Sequence, residues 1–358
     1  MHILYLVGRE LDYTRNSVLL RAFCRLGTVQ VIGETRSGSL LLRIARVFFR
    51  ALPYLLAQQY DLIFVGFYGH LLMLPVGILS RSPVLFDAFV STYDTLCFDR
   101  GLFAPRSLPG RFAFWLDQTA CRLADLVLLD TQPHADYFIR TFALSPDKVQ
   151  CLPVGCNEGI FFPRPRVRHD NITRILYYST YLPLHGVETV VRAAALLRAE
   201  PALHFRLIGT GQDYAQVRRL ADELGLKNIT FVPSVPLETL AAEIASADIC
   251  LGGHFGRSDK ARRVIPGKVY QILAMGRPLI ATDTPANRGL LADGVTAYLC
   301  PQDNPEALAA TILKLHRDAA LREKLAVLGR TLYLEQCSEA VITEHLRRMI
   351  SGMTGGRR

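Results

Sequence analysis

Across residues 254–281 the chain reads HFGRSDKARRVIPGKVYQILAMGRPLIA, and the cations in it are the first residues that could do chemistry. Arg257, Lys260, Arg262 and Arg263 crowd a loop that follows an apolar, strand-like run at 247–252. Pro266-Gly267 then turns the chain into a helix expected over about 268–274, with Val269, Ile272 and Leu273 at core-facing spacing. Met275-Gly276 closes that helix, and 278–282 supplies another strand. A cationic loop running into a helix N-terminus favours a phosphate, because backbone N–H groups and the helix dipole add to the side-chain charge. In open α/β sheets the carboxyl ends of the strands are also where ligands bind. The chain has six lysines in all, and Lys260 and Lys268 both fall here. A merely solvated face would need neither the Pro-Gly turn nor the apolar strand beneath it.

The elements that must position these cations come next. At 358 residues the chain exceeds one ordinary core, so two domains are expected. A hydrophobic share of 50% with 20% charged residues describes a globular protein. The net charge of +9 suits an anionic partner such as a nucleotide, a phosphorylated lipid or an acidic membrane surface. No basic motif with interleaved aromatics is present, so nucleic acid is not an expected partner. The eight cysteines are scattered without metal-ligand spacing, which argues against a zinc site and for a reducing, cytoplasmic compartment. MHILYLV lacks a basic leader region and reads as a first strand. Residues 40–58 are the most membrane-like, but Arg43, Arg46, Arg50 and Pro53 interrupt them, so a spanning helix is not expected. They read either as a basic amphipathic helix lying peripherally on an anionic inner membrane face or as a helix packed on its own domain.

Strand-like and helical runs alternate along the whole chain, which means parallel sheet covered by helices. Strands at 2–7, 29–32, 62–65, 84–86, 126–129 and 149–152 alternate with helices at 16–26, 40–58, 71–79, 112–123 and 134–142. They define a Rossmann-like domain over 1–155. Residues 156–171, rich in proline and arginine and without periodicity, read as a linker. The alternation restarts over 172–336, with strands expected at 175–178, 205–208, 229–232, 249–251, 279–281 and 297–299. Asn304 before Pro305 caps a helix expected over 305–317. The segment 337–358 holds a last helix, expected to cross back to the first domain. Two doubly wound parallel sheets in tandem leave a cleft between their strand ends.

Several chemistries are excluded. After Val7 there is Gly8 and then Arg9, with no GxGxxG, and Gly209-Thr210-Gly211 lacks a third glycine in register, which disfavours hydride transfer. Walker, GxSxG and HExxH motifs are absent. No DxD pair follows a strand, so neither a cofactor nor an obligatory carboxylate-bound metal is expected.

Seven landmarks in order carry a resemblance: LPVGCNEGIFFP, RILYYSTYLPLHGVETVVRAA, FRLIGTGQD, NITFVPSVP, ADICLG, GKVYQILAMGRPLIATD and DGVTAYLCPQDNPEALA. Together they resemble the nucleotide-sugar domain of retaining glycosyltransferases of family 4, which have the two-domain GT-B fold. YTRNSVLLRAF, LFDAFVSTYDT and LADLVLLDTQPHADYF are similar to a narrower group within it. The resemblance implies that a nucleotide diphosphate sugar binds the second domain, that a glycan or lipid-linked acceptor hydroxyl enters beside the first, and that the sugar transfers with retention. Under it, Lys260 and Lys268 stabilise leaving-group charge, and Asp87, with Asp94 as second choice, orients or deprotonates the acceptor. Donor-binding residues would be His185, Gly186, Gly209, Gly211, Phe255 and Gly256, together with Arg257, Pro266, Gly267, Val269 and Gln271. Gly8, Arg15, Asn16 and Asp94 would line the acceptor side.

The chain departs from the family at named positions. Arg263 and Gln271 stand where two glutamates are usual, Ser179 and His185 where an Arg and a Lys pair with the diphosphate, and Phe86 where many relatives have His before Asp87. Charge from His185, Arg257, Lys260 and Lys268 could substitute, and the Gln271 amide oxygen could accept ribose hydroxyls. Two other readings stay open on sequence: a sugar-nucleotide epimerase of the same fold, and a non-catalytic sugar-nucleotide-binding scaffold.

Overall fold

The computed structural model describes residues 1–8, 10–34, 39–165 and 170–355. Residues 166–169 of the expected linker and 356–358 of the expected last helix lie outside the described residues. The chain divides into two units, residues 1–155 with 339–358, and residues 156–338.

Unit 1 opens with β1 (His2–Val7), α1 (Thr14–Leu26), β2 (Thr28–Gly33), α2 (Leu40–Ala57), β3 (Leu62–Val65) and α3 (His70–Leu79). It continues through β4 (Val84–Asp87), the short α4 (Thr92–Asp94), α5 (Leu108–Leu123), β5 (Leu126–Leu129), α6 (Gln132–Phe142) and β6 (Val149–Cys151). All pairings are parallel, in the order β2-β1-β3-β4-β5-β6. The central strands β3, β4 and β5 are apolar and buried at nearly every position, as strands covered on both faces must be. Helices α2, α3, α5 and α6 share one core with the sheet, and α1 packs the other side.

Unit 2 comprises β7 (Thr173–Tyr178), α7 (Val187–Leu196), β8 (Leu203–Ile208), α8 (Tyr214–Glu223), β9 (Ile229–Val232), α9 (Leu237–Ser246) and β10 (Ile249–Gly253). After these come α10 (Asp259–Arg263), α11 (Gly267–Ala274), β11 (Leu279–Thr282), α12 (Pro285–Arg288), β12 (Tyr298–Cys300), α13 (Pro305–Arg317) and α14 (Ala319–Gln336). Its parallel sheet runs β12-β11-β10-β7-β8-β9, so the winding reverses between β7 and β10. The last helix, α15 (Glu339–Gly355), packs on α1 in unit 1, where Ile342, Leu346 and Ile350 are buried and Glu339 bonds both Arg21 and Arg25.

The expected linker is in part structural. Cys156 and Phe161 are buried within unit 2, and the Tyr333 hydroxyl reaches Glu158 at 3.1 Å. The cationic loop at 257–263 is also more ordered than its composition suggests. Ser258 accepts the Ala261 N–H and starts α10, so Lys260, Arg262 and Arg263 ride on a helical turn. Similarly, α5 begins at Leu108 rather than 112, because Ser107 accepts the Gly110 N–H and Pro109 suits a first helical turn.

Candidate functional site

The switch point between β7 and β10 is where a doubly wound sheet leaves a crevice. There β7 ends in Tyr177-Tyr178, β10 runs out through Gly253 to His254, and α11 starts at Gly267. Lys268 sits in the first turn of α11, only 8% exposed, with its ammonium 4.3 Å from the Tyr177 ring centroid and 5.7 Å from that of Tyr178. Its Nζ makes no hydrogen bond among the described residues. Burial pulls the amine down to about 7. The tyrosine faces offset part of the desolvation, yet a buried amine with all three donors unused is a group built to meet an anion.

Two imidazoles flank it. The His185 ring stacks on His254 with centroids 5.3 Å apart and planes at 17°. His185 Nδ1 accepts the Leu182 N–H at 3.3 Å, which leaves Nε2 carrying the proton as a donor. Burial, then Lys268 and Lys260, push His185 down to about 3, and His254 is lowered for the same reasons with His185 added. At neutral pH both rings are therefore uncharged. Sequence reasoning counted His185 among the replacement cations; the structure makes it a dipolar donor instead.

A cavity of about 280 Å³ opens against Lys268, His185, Tyr178, Ser179, Thr180 and Gly209. Gly209 has φ +128°, and a Cβ there would sit 1.9 Å from the Ser179 carbonyl oxygen, so only glycine lets the β7 and β8 loops touch. Gly186, Gly256 and Arg257 line a separate cavity of about 410 Å³. The expected donor residues thus fall into two groups rather than one. Arg257 is exposed and already paired with Asp303 at 2.7 Å. Phe255 and Val269 are fully buried and line neither cavity. Gln271 is buried, and its amide oxygen accepts the Tyr178 hydroxyl at 2.7 Å, so one of its two acceptor sites is taken. Pro266 is the N-cap of α11, Gly267 its first residue, and Lys260 stands half-buried on α10. Gly211 is exposed in the loop after β8. Sequence reasoning assigned no role to Tyr177, Tyr178, Thr180 or His254. The YYST run at the end of β7 was the available signal.

In unit 1 the expected acceptor residues turn inward. The Arg15 guanidinium meets both carboxylate oxygens of Asp87 at 2.9–3.2 Å and donates to the Leu152 and Pro153 carbonyls at 2.6 and 3.0 Å. Both side chains are completely buried. Burial pushes the Asp87 carboxyl above its ordinary range, against the pull of Arg15. With no exposed face, Asp87 cannot receive a proton from an acceptor in this arrangement, and the catalytic role expected of it gives way to a positioning one: it ties the end of β4 to α1. Asn16 is likewise buried, donating to the Glu10 carbonyl at 2.8 Å. Gly8 follows β1 in contact with Tyr68, and Asp94 is buried in α4 with its N–H on Ser91. Sequence reasoning missed His70 and Asp117, 3.6 Å apart and buried. Asp117 also accepts the Ser91 hydroxyl at 2.6 Å and the N–H groups of Thr92 and Tyr93 at 3.1 and 2.9 Å.

This architecture can be set beside known proteins. A sucrose-phosphate synthase from Thermosynechococcus elongatus superposes with TM-score 0.75 over 99% of both chains at 17% identity. Anabaena Alr3699/HepE, solved in complex with UDP-glucose, gives TM-score 0.75 over 98% of this chain and 100% of its own at 14% identity. The fold is GT-B. Within the GT-B chain, residues 173–318, all in unit 2, match the profile of the family described as glycosyl transferases group 1. A D-inositol 3-phosphate glycosyltransferase of Thermomonospora curvata is 26% identical over 228 residues, 57% of this chain and 51% of that protein. The chain spans about half the length of the first curated relatives it matches. Among the described residues no group of three or more His, Cys, Asp or Glu gathers as a metal site, and no helix is long and apolar enough to cross a membrane.

Proposed function

We propose that the chain is a retaining glycosyltransferase that moves a sugar from a nucleotide diphosphate sugar, held by unit 2, to an acceptor hydroxyl presented to unit 1. The observation that carries this reading is Lys268, a buried amine with unused donors at the sheet switch point. When the bond from the sugar to the diphosphate breaks, charge grows on the leaving oxygens, and donors fixed in a low-dielectric site stabilise that charge more than water does. The Lys268 ammonium, the His185 Nε2–H and the first amides of α11 are suited to this, with Lys260 at longer range. Ser179, Thr180 and Ser234 offer hydroxyls to the sugar or ribose. Charge neutralisation is assigned to the protein rather than to a metal. Because Alr3699/HepE was solved with UDP-glucose, uridine diphosphate sugars are the first donors to test. Retention rests on the family resemblance.

The test is a thermal-shift panel of nucleotide diphosphate sugars on wild type and Lys268→Met, followed by an assay for released nucleoside diphosphate. A ligand at about 100 times its Kd adds about 2.7 kcal/mol of stability, a clear rise in Tm. A rise with one sugar nucleotide that disappears in Lys268→Met is the expected result. Equal stabilisation of both proteins would move the diphosphate elsewhere, and stabilisation without turnover on any acceptor would leave a binding protein.

A further inference from the structure

Unit 1 carries apolar surface that its own core does not use. Helix α5 buries one face through Ala113, Leu116 and Ala120, but its opposite face is also apolar: Leu108, Phe112 and Trp115 are 82%, 53% and 47% exposed at i, i+4, i+7 spacing. The Phe112 and Trp115 rings lie 5.7 Å apart. The preceding loop lies against the start of the same helix, for a Cβ at Gly110 would stand 2.4 Å from the Ala104 carbonyl oxygen. On that loop Phe98, Leu102 and Phe103 are exposed. Its backbone is nevertheless held, since the Leu102 and Phe103 N–H groups both reach the Leu96 carbonyl, at 2.8 and 3.3 Å. These side chains project from fixed backbone.

The exposed charges around them are cationic. Arg100, Arg106 and Arg111 are exposed, while the acids between residues 98 and 124 are the half-buried Asp99 and the fully buried Asp117. Helix α2 belongs to the same layer of the unit and repeats the pattern, with Leu42, Phe49 and Leu56 exposed around an exposed Arg46. The other two α2 arginines named in the sequence have internal duties. Arg43 bonds Glu10 and the Glu34 carbonyl, and Arg50 the Gly33 carbonyl, so they fasten the helix to the unit.

We propose that this layer, centred on the α5 face and its loop, docks on an anionic lipid bilayer. Aromatic and aliphatic side chains enter the boundary between headgroups and acyl chains, and the arginines meet lipid phosphates. The occupant follows from complementarity: a rim of three exposed arginines against one half-buried aspartate, around an aromatic patch, on a chain of net charge +9. The surface lies within unit 1 and does not depend on the reading of the donor site.

Trp115 is the only tryptophan in the chain, so its fluorescence reports on this face alone. Full-length protein is mixed with vesicles of equimolar phosphatidylcholine and phosphatidylglycerol, and separately with pure phosphatidylcholine. The expected result is co-sedimentation with the anionic vesicles, a blue-shifted Trp115 emission and protection from acrylamide, all weaker on pure phosphatidylcholine. Arg106→Gln and Arg111→Gln should each lower partitioning about fivefold at low salt, the equivalent of about 1 kcal/mol per basic residue near the surface. Leu108→Ser with Phe112→Ser, which keeps the tryptophan, should lower it at least tenfold. Absence of sedimentation overturns the proposal. So does sedimentation with Trp115 still open to acrylamide, because another surface then binds. A blue shift that grows with protein concentration without lipid overturns it in favour of a second copy of the chain. The wild-type fluorescence decides these cases whether or not a variant folds.

Discussion

Lys268 shows how one side chain links pH, stability and ligand. Its ammonium titrates near 7 in the folded protein against an ordinary 10.5, because burial penalises the charge. Between those values the unfolded chain binds the proton that the folded chain has lost, so this group's contribution makes stability rise with pH from about 7 to about 10.5. A bound diphosphate reverses the balance by favouring the ammonium. Donor affinity should therefore weaken as pH rises above about 7, and calorimetry in two buffers of different ionisation enthalpy should show proton uptake on binding near pH 8. No uptake would mean that the amine does not meet the phosphates. The same argument predicts that Lys268→Met, while losing the donor, raises the Tm of the unliganded protein by the equivalent of roughly 1–3 kcal/mol, since a buried polar group without partners is removed. A lowered Tm would mean that the tyrosine contacts outweigh the desolvation. The sequence placed Lys268 at a helix start beside a cationic loop. It could not show that Tyr177 and Tyr178, ninety residues earlier, close over the amine, since that proximity comes from the pairing of β7 with β10.

At the scale of elements, the Arg15–Asp87 pair decides how α1, β4 and the segment after β6 are held together. Two fully buried charges are costly to desolvate, and they are tolerated because both Asp87 oxygens accept from Arg15 while Arg15 also donates to the Leu152 and Pro153 carbonyls. Removing one leaves the other uncompensated, so Asp87→Ala should destabilise unit 1 by about 3–5 kcal/mol in urea unfolding. The double variant Arg15→Met with Asp87→Leu should recover most of that loss. If Asp87→Ala folds as well as wild type but loses turnover, the carboxyl acts on substrate and the positioning role is wrong. Element positions were largely legible: β3, β5, β9 and α13 fall at the expected residues because their apolar runs or caps are self-contained. The inward turn of Asp87 was not, for a strand-end aspartate looks the same whether it faces solvent or an arginine 72 residues away. The starts of α5 and α10 were missed for a local reason. Ser107 and Ser258 are caps, but a Pro-Gly pair and a run of cations beside them imitate loop composition.

For the whole molecule, the determining feature is the return of α15 to unit 1. Ile342, Leu346 and Ile350 each bury a side chain worth about 1.5–3 kcal/mol there. Their sum rivals the 5–15 kcal/mol that holds a typical domain folded. A chain cut after Ser338 should therefore leave unit 1 sensitive to limited proteolysis while unit 2 resists it; equal resistance of both would show that α15 is dispensable. Arg21→Ala with Arg25→Ala, which takes both guanidiniums from the Glu339 carboxylate, itself only 5% exposed, should cost more than an exposed ion pair does, about 1–3 kcal/mol.

That return also sets an order of assembly on the ribosome. Domains made first ordinarily fold first. Here the polypeptide that completes the core of unit 1 emerges only after residues 156–338 have been made, so unit 2 has all of its chain while unit 1 still lacks a helix. During that interval the α1 surface awaiting α15 stands open to water or to a chaperone. The enclosed unit, rather than the leading one, is the first that can reach its native state.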